Sequence, residues 1–564
     1  MKFNDFEYSR PDMPTFKASF EAAIQTFSAA SELDAQSEAM IQINKLRSSF
    51  DSMNQIAAIR YTQDTANEQY VAEQQFFDEQ SPVFQELESK FYQALIDSQF
   101  REALQEKWGK QLFDIAAAKI KTISPEVVED LKRENHLASS YTKLLASAKI
   151  LFEGKERNLQ ELTPFEQDLD RDVRKRASEA KWGFFEKNGA EIDRIFDELV
   201  KVRHQIATKL GYENYVPLAY NRLMRTDYDA KMVANYRQQV LEEVVPVAAE
   251  LRERQAKRLG LDKLKYYDTS LTFNTGNPTP KGNPDWIVEN GKKMYADLSP
   301  ETNEFFNFML DNDLMDLVSR KGKATGGYCN YISNQKSPFI FSNFNGTSHD
   351  INVLTHEAGH AFQVYMSRNY QVPEYNWPTY EACEIHSMSM EFFAWPWMES
   401  FFKNDTEKFK FEHLNDSVLF LPYGVSIDEF QHFVYENPEA SPKERKAAWR
   451  SVEKKYLPWM DYSDNDFLEE GSFWQKQAHL FFTPFYYIDY TLAQVCAFQF
   501  WKRANENRED AFADYVKLCK AGGSQSFLKL VDYANLNSPF EDGCIKDAMV
   551  PIKEYLEMVD DMVL

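Results

Sequence analysis

The sequence is short of basic residues and of long apolar runs. Its 564 residues include 64 Lys and Arg against 88 Asp and Glu, which gives a formal net charge of −24. Because a nucleic-acid interface needs a basic surface, this balance argues against DNA or RNA as a partner. No apolar stretch approaches the length of about 20 residues that a membrane-spanning helix requires, so we expect no membrane partner either.

Cysteine is also scarce. The chain has five cysteines, an odd number, spread from Cys329 to Cys544 without the Cys-x-x-Cys pairs that are typical of metal sites. This usage indicates reduced thiols in a reducing compartment. Residues 1–14 are polar and contain proline, unlike the basic and then apolar pattern of a secretory signal. We therefore expect a cytoplasmic protein.

Apolar residues at helical spacing fill most of the chain, and few candidate strands interrupt them. The helical patterns cover residues 16–67, 68–122, 125–153, 164–210 and 228–259. Two short β-prone runs, at residues 328–332 and 339–344, predict a hairpin or two paired strands. A chain of this length exceeds one ordinary core and can form two or three regions around a cleft. The predicted fold is mainly α with a small β-sheet.

One short stretch carries the clearest chemistry. His356 and His360 are four residues apart with Glu357 between them. On a helix the two imidazoles point the same way and can bind one metal ion, and the glutamate lies where it can take a proton from a water on that metal. Asp350 is the expected N-cap of this helix. Gly359 disfavours a helix, which predicts that another segment approaches its backbone. The motif indicates a zinc hydrolase.

A catalytic zinc normally has three protein ligands, so a third must come from elsewhere. The positions that hold a glycine and a third histidine in metzincins hold other residues here, which excludes that class. Glu381, Glu384 and Glu391 share one face of an apolar helical segment, where unpaired carboxylates are costly. We choose Glu384 as the ligand and expect Glu381 and Glu391 to accept hydrogen bonds from ligating histidines. The rival His386 lies about 200° around the helix from Glu384, and we expect it in the pocket or the core.

A second group of candidates lies downstream. Thr483 and Pro484 predict the start of a helix on which Tyr486 and Tyr490 share a face, with His479 just before it. Phenol and imidazole donors directed at a developing oxyanion can stabilise a transition state. However, 15% of the residues are aromatic, and most tyrosines are packing residues. The pattern alone leaves both interpretations open. His413 and His432 receive no role.

Several stretches together resemble the oligoendopeptidase F and thimet oligopeptidase family of zinc metallopeptidases, of the bacterial oligoendopeptidase F or Pz-peptidase type. The matching stretches are residues 162–165, 171–182, 326–329, 338–341, 343–347, 356–360 and 384–387 with Glu391, and His479 with the tyrosines after it. They extend over most of residues 120–560. The resemblance implies a multi-helical, zincin-like fold with a deep substrate channel between two helical halves.

The resemblance also implies roles for single residues. In the family the third zinc ligand is the glutamate that opens an E-x-x-S stretch with a further glutamate shortly after it, which here corresponds to Glu384, Ser387 and Glu391. A histidine and tyrosines of the downstream stretch take part in catalysis, which favours His479 and Tyr490. The match departs from the family by a gap of one residue. Whether the tyrosine at position 486, the one at 487 or both line the site therefore stays open.

The segment before the metal helix is the expected substrate-binding element. A strand that leads into a metal helix can offer its free edge to an extended peptide. We expect Phe341, Asn343, Gly346 and His349 to contact the substrate, with the small residues around Gly346 able to close over it. A small structural sheet without a ligand role is the alternative.

The combined prediction is a zinc metalloendopeptidase that cleaves internal bonds of short oligopeptides and excludes folded proteins. A zinc-bound water attacks with Glu357 as general base, and one Zn²⁺ per chain is held by the two motif histidines and Glu384. Residues 1–200 are expected to form a helical wall of the cleft, and residues 201–564 the catalytic region. The sequence specifies neither the oligomeric state nor the cleavage preference.

Two other functions are compatible with these residues. One is a helical peptide-binding or scaffold protein with a structural zinc, and the other is a zinc hydrolase of non-peptide esters or amides. An intact Glu357 favours an enzyme, since a structural zinc site has no use for a base beside an open coordination position.

Overall fold

The computed structural model describes all 564 residues. About 70% of them are helical, so the mainly-α prediction is confirmed. The helices of the first half are α1 (Met13–Ala29), α2 (Leu33–Gln63), α3 (Glu68–Ile96), α4 (Arg101–Trp108), α5 (Lys110–Lys119), α6 (Val128–Ala146), α7 (Thr163–Glu166), α8 (Arg171–Lys209), α9 (Tyr215–Arg222), α10 (Ala230–Glu243), α11 (Val245–Arg258) and α12 (Pro284–Leu298). Those of the second half are α13 (Pro300–Asp311), α14 (His349–Ser367), α15 (Tyr380–Phe393), α16 (Met398–Phe402), α17 (Thr406–Glu436), α18 (Pro442–Tyr456), α19 (Asp466–Glu469), α20 (His479–Phe482), α21 (Tyr487–Glu506), α22 (Arg508–Ala521), α23 (Phe527–Tyr533) and α24 (Cys544–Met558).

The strands are few and short. They are β1 (Ile150–Phe152), β2 (Lys155–Arg157), β3 (Met315–Val318), β4 (Tyr328–Ile332) and β5 (Ser337–Phe344). The hairpin β1–β2 stands alone, and the second sheet has the order β3–β5–β4, with β3 parallel and β4 antiparallel to β5. The predicted pairing of the two β-prone runs is confirmed. Because β5 is the central strand, the expectation that the strand leading into the metal helix offers a free edge is wrong, and the free edge beside the cleft belongs to β4.

The chain forms two separate apolar cores. The smaller one lies among α1 to α5 and is closed by Val372 and Tyr375. The larger one takes in almost all the helices that follow, including both helices of the metal motif. The predicted division between residues 200 and 201 falls inside α8 and so does not coincide with the end of an element.

The metal helix α14 crosses α15 at very close range, and Gly359 permits this. A Cβ atom at Gly359 would lie 2.6 Å from the carbonyl oxygen of His386 and 2.7 Å from the Cα of Ser387. Any side chain at position 359 would therefore push α14 and α15 apart. The approach of another backbone to Gly359, expected from its helix-disfavouring character, is confirmed.

The start of α14 differs from the prediction. The helix begins at His349 with Ser348 as its N-cap. Asp350, the expected N-cap, lies within the first turn, and its carboxylate accepts the N–H groups of Asn345 and Gly346 at 2.9 and 2.8 Å. The aspartate therefore holds the loop between β5 and α14 rather than capping the helix.

Two further features concern the whole chain. All five cysteines are unpaired. None of the helices combines the length and the apolar character that crossing a bilayer would demand.

Candidate metal centre and its cavity

Three side chains converge where α14 crosses α15. Nε2 of His356 lies 3.2 Å, and Nε2 of His360 3.3 Å, from Oε2 of Glu384. Ligands at the corners of a tetrahedron around zinc, with bonds of about 2.0–2.1 Å, lie about 3.3 Å apart. Two imidazole nitrogens and one carboxylate oxygen are also the donor set of many catalytic zinc sites. The residues present therefore fit a zinc ion.

A chain of hydrogen bonds determines which nitrogen of His356 faces this centre. The indole N–H of Trp395 donates to Nδ1 of His413 at 2.8 Å, so the proton of His413 is on Nε2. That nitrogen donates to Oε2 of Glu391 at 2.7 Å. Oε1 of Glu391 accepts a hydrogen bond from Nδ1 of His356 at 2.8 Å. Because an indole can only donate, the chain leaves the lone pair of Nε2 of His356 free for a metal.

Of the two glutamates expected to accept from a ligating histidine, Glu391 does and Glu381 does not. Burial opposes ionisation of Glu391, but hydrogen bonds from His356 and His413 lower its pKa to about 2. Glu381 forms no hydrogen bond with either ligating histidine. Its burial and the neighbouring carboxylate of Asp489 raise its pKa. The two residues share one helical face, but only Glu391 reaches an imidazole.

His413, which sequence reasoning left without a role, is part of this chain of hydrogen bonds. It lies on α17, 22 residues after Glu391, and no local motif connects the two. His386 lies in the core as expected, fully buried, with burial lowering its pKa to about 3.

Glu357 lines the cavity from α14, and its carboxylate forms no hydrogen bond with another side chain. Its Oε2 atom is buried and has no hydrogen-bond partner. Gly327 lies against the other oxygen, since a Cβ atom there would be 3.3 Å from Oε1 of Glu357. The carboxylate is thus packed into place but free to accept a proton from a molecule in the cavity.

A second chain of hydrogen bonds orients the downstream candidates. The hydroxyl of Tyr423 donates to Oε1 of Gln477 at 2.8 Å, and Nε2 of Gln477 donates to Nδ1 of His479 at 2.7 Å. Nε2 of His479 then carries the proton and donates to the hydroxyl oxygen of Tyr490 at 3.1 Å. Burial lowers the pKa of His479 to about 4, so the imidazole is neutral near pH 7. The hydroxyl proton of Tyr490 is therefore not used in its bond with His479, and Tyr490 lines the cavity.

Tyr486 has a different contact. Its hydroxyl donates to Oε1 of Glu384, while the hydroxyl of Ser387 donates to Oε2 at 2.8 Å. These two bonds hold the carboxylate with Oε2 toward the histidines. Tyr486 lines the cavity and Tyr487 does not. The ring of Tyr487 packs instead against that of Phe420, with ring centroids 5.7 Å apart. Of the two tyrosines between which the sequence could not decide, Tyr486 is therefore the one that lines the site.

The expected helix start at Thr483 and Pro484 is wrong. Phe485 adopts the left-handed conformation with φ +67°, which breaks the chain between α20 and α21. Its N–H donates to Oε1 of Gln431 at 2.7 Å, and its carbonyl accepts from Nη2 of Arg225 at 2.6 Å. These two partners stabilise a conformation that no residue near it in the sequence predicts.

The metal centre opens into a cavity of about 710 Å³. Side chains of α2, α3 and α5 form one wall, and α14, α15, β4 and the segment 478–490 form the other. Glu357, His479, Tyr486 and Tyr490 all line it together with the three candidate ligands. The structure therefore brings the predicted catalytic and metal-ligating residues into one space.

The four predicted substrate-binding residues lie outside this lining. Phe341 is fully buried beneath the ring of Tyr328, with ring centroids 4.8 Å apart. The side-chain amide of Asn343 donates to two backbone carbonyls of the loop at residues 324–326. Gly346, on the loop before α14, and His349, the first residue of α14, are both exposed.

Comparison with known proteins gives consistent results. The model described as Peptidase M3 N-terminal domain matches residues 3–123, and the one described as Peptidase family M3 matches residues 165–278 and 299–550. A solved structure of Pz peptidase A with an inhibitor is 61% identical, covers 100% of both chains and superposes with a TM-score of 0.99. The oligoendopeptidase F homolog of Borreliella burgdorferi is 26% identical over 70% of this chain and 69% of its own length. That of Lactococcus lactis is 23% identical over 67% of this chain and 62% of its own length.

Proposed function

The chain belongs to peptidase family M3 and is a zinc metallo-oligopeptidase, and we propose that its own residues divide the hydrolysis of a peptide bond among them. His356, His360 and Glu384 hold one zinc ion per chain. Zinc bound there supplies a Lewis acid that lowers the pKa of a coordinated water and polarises the scissile carbonyl. The observation that carries this assignment is the approach of both imidazole Nε2 atoms to one carboxylate oxygen, at 3.2 and 3.3 Å.

Glu357 is the general base in this proposal. It takes a proton from the attacking water and passes it to the leaving amine. Its support is geometric, because Glu357 lines the cavity and its Oε2 atom has no hydrogen-bond partner. Every other carboxylate beside the centre is already engaged, since Glu384 faces both histidines and Glu391 accepts from His356 and His413.

Tyr490 and His479 stabilise the oxyanion. Since His479 donates to the oxygen of Tyr490, the tyrosine can direct its own proton at the substrate, and the bond from His479 makes it a stronger donor. Tyr486 acts through Glu384, which it holds in place. The two tyrosines, both expected to be catalytic, thus have separate roles.

The free edge of β4 binds the peptide backbone. Ile340 of β5 donates its N–H to Leu314 on the β3 side at 2.9 Å, so its register partner Cys329 receives no hydrogen bond from β5. By alternation, the backbone groups of Cys329 and Tyr331 both point to the open edge, and both residues line the cavity. An extended peptide can complete this ladder whatever its side chains, which suits a peptidase of broad sequence tolerance.

The shape of the site supports short peptides as substrates. A cavity of about 710 Å³ between two helical walls admits an extended segment but not a folded domain. The scaffold alternative is disfavoured, since a structural zinc has four protein ligands and three converge here. The acidic net charge and the five unpaired cysteines support the further proposal of a cytoplasmic enzyme without a nucleic-acid partner.

The variant Glu357→Gln tests the assignment. We expect zinc content to stay at one per chain, while kcat/KM on a set of peptides of graded length falls by about 10²- to 10⁴-fold, the usual contribution of a general base. Glu399→Gln, at an exposed position on α16, is the matched control and should cleave normally. Comparable cleavage by Glu357→Gln would show that the base is another residue, and wild-type protein that binds no zinc would refute the metal assignment.

A further inference from the structure

A second and smaller cavity adjoins the catalytic one. Its volume is about 230 Å³, and it shares the lining residues Glu88, Tyr92, Lys119 and Phe482 with the larger cavity. Arg222, the last residue of α9, lines the smaller cavity only. We call this smaller cavity the side pocket. The two cavities therefore meet at these four residues.

Lys119 is a cation without a partner in this place. It forms no ion pair and no hydrogen bond, and burial lowers its pKa, although the charges of Glu88 and Glu374 oppose this. Both acids are already engaged, because Arg47 donates to Glu88 and to Glu374, each at 2.7 Å. The ammonium group is therefore partly desolvated and lacks the anion that would compensate for it.

Arg222 adds a second unmet donor to the side pocket. Its Nη1 donates to both carboxylate oxygens of Glu134, at 3.2 and 3.0 Å, and to the hydroxyl of Tyr215 at 3.1 Å. Its Nη2 is buried and has no hydrogen-bond partner. Glu134 also accepts from Arg203 at 2.6 Å, so its charge is shared between two guanidinium groups.

The charges that line the side pocket balance, whereas the chain as a whole is strongly acidic. Its charged lining residues are two basic ones, Lys119 and Arg222, and two acidic ones, Glu88 and Glu134. The chain as a whole has a net charge of −24. A carboxylate of a ligand would find Lys119 without an ion pair and the unpartnered Nη2 of Arg222, while Glu88 and Glu134 already accept hydrogen bonds from arginines.

We propose that Lys119 and Arg222 bind a carboxylate of the substrate peptide in the side pocket, and that the C-terminal carboxylate is the group that enters. This inference rests on the proposed function, since it takes a peptide to be the occupant of the adjoining cavity. The subsite then acts as an anchor that selects short peptides with a free C-terminus over longer or blocked ones. An acidic side chain near the C-terminus offers the same chemistry, and the experiment separates the two sources.

The test compares peptides of one sequence with different ends. The first ends in glutamine with a free carboxylate, the second in glutamine amide and the third in glutamate amide. We expect the wild type to prefer the free acid over glutamine amide by about tenfold to a hundredfold in kcat/KM, the usual range for a charge-assisted hydrogen bond. Cleavage of glutamate amide as fast as the free acid would also support the pocket and would assign the carboxylate to a side chain.

Variants assign the preference to Lys119. In Lys119→Met the free acid should lose its advantage while glutamine amide is cleaved as by the wild type, and Lys119→Arg should keep most of the advantage. Lys121→Met, at an exposed position two residues further on, is the matched control and should behave as the wild type. Because Lys119 has no partner in the folded chain, Lys119→Met should not lower the melting temperature.

Two results would overturn the inference. One is equal kcat/KM of the wild type on the free acid and on both amides, and the other is an undiminished preference in Lys119→Met. Calorimetric binding of the same peptides to zinc-loaded Glu357→Gln, with and without Lys119→Met, gives the comparison without turnover. If the wild type cleaved none of these peptides, the proposed function would fail, while this binding comparison would still decide whether the pocket takes a carboxylate.

Discussion

Replacing Glu391 with glutamine should weaken zinc binding although Glu391 itself is not a ligand. The carboxylate accepts two hydrogen bonds, from His356 and from His413, and the indole of Trp395 fixes the proton of His413 on the nitrogen that faces it. An amide accepts with one atom and donates with the other. In Glu391→Gln, an amide NH₂ that faces His413 meets the N–H of that histidine, so that two donors face each other. If the NH₂ faces His356 instead, Nδ1 of His356 must accept, and its proton moves to Nε2, where it blocks the metal.

The size of the effect follows from these contacts. The side chain of Glu391 is only 14% exposed, so water does not readily replace a lost partner. One unmet charge-assisted bond costs about 1.5–3 kcal/mol, which corresponds to a loss of about tenfold to a hundredfold in zinc affinity. Glu381→Gln changes a buried glutamate of the same helix that contacts neither ligating histidine, so its zinc affinity should remain near that of the wild type.

The double variant Glu391→Gln/Trp395→Phe provides the sharper result. Without the indole, His413 can carry its proton on Nδ1 and accept from the new amide, and His356 regains the tautomer that binds metal. Zinc affinity, measured by competition with a chromophoric chelator, should therefore be higher in the double variant than in Glu391→Gln alone. The single variant Trp395→Phe completes the comparison. If the losses of zinc affinity in Glu391→Gln and Trp395→Phe simply add in the double variant, the proposed chain of fixed protons is incorrect.

Two further predictions concern the cavity and the helix crossing. Tyr490→Phe should lower kcat by about 10²- to 10³-fold through the loss of an oxyanion donor, while Tyr487→Phe, outside the cavity, should retain near-normal kcat. Normal turnover by Tyr490→Phe would exclude Tyr490 as the oxyanion donor. Gly359→Ala should reduce the free energy of unfolding by about 1–3 kcal/mol, because the methyl group of the new alanine would meet the backbone of α15. Gly183→Ala, with open space around it on α8, should be neutral or slightly stabilising in the same thermal melts, and equal melting temperatures of the two variants would contradict the close crossing.

The candidate metal ligands could be proposed from the sequence because helical periodicity is local. Four-residue spacing places His356 and His360 on one side of α14, and the same arithmetic separates Glu384 from His386 on α15. The fold class followed for the same reason, since the spacing of apolar residues identifies helices one at a time. The close approach to Gly359 could also be predicted, because a glycine inside a helix indicates a place where a side chain would clash with a neighbour.

Residues whose roles depend on distant segments could not be assigned in this way. Glu381 and Glu391 share a helical face, and only the way α15 crosses α14 makes Glu391 the partner of His356. The position of α17 then adds His413 as the second partner of Glu391. The left-handed Phe485 depends on Gln431 and Arg225, and it decides that Tyr486 rather than Tyr487 faces the metal centre.

The sequence by itself therefore identified most of the helical segments, the three candidate zinc ligands and the proposed general base, since each follows from neighbours within a few turns of one helix. The tertiary structure alone decided which edge of the sheet is free, which glutamate orients His356, and that Lys119 and Arg222 meet beside the catalytic cavity. These depend on the angles and distances at which helices far apart in the chain pack together, which no local spacing encodes.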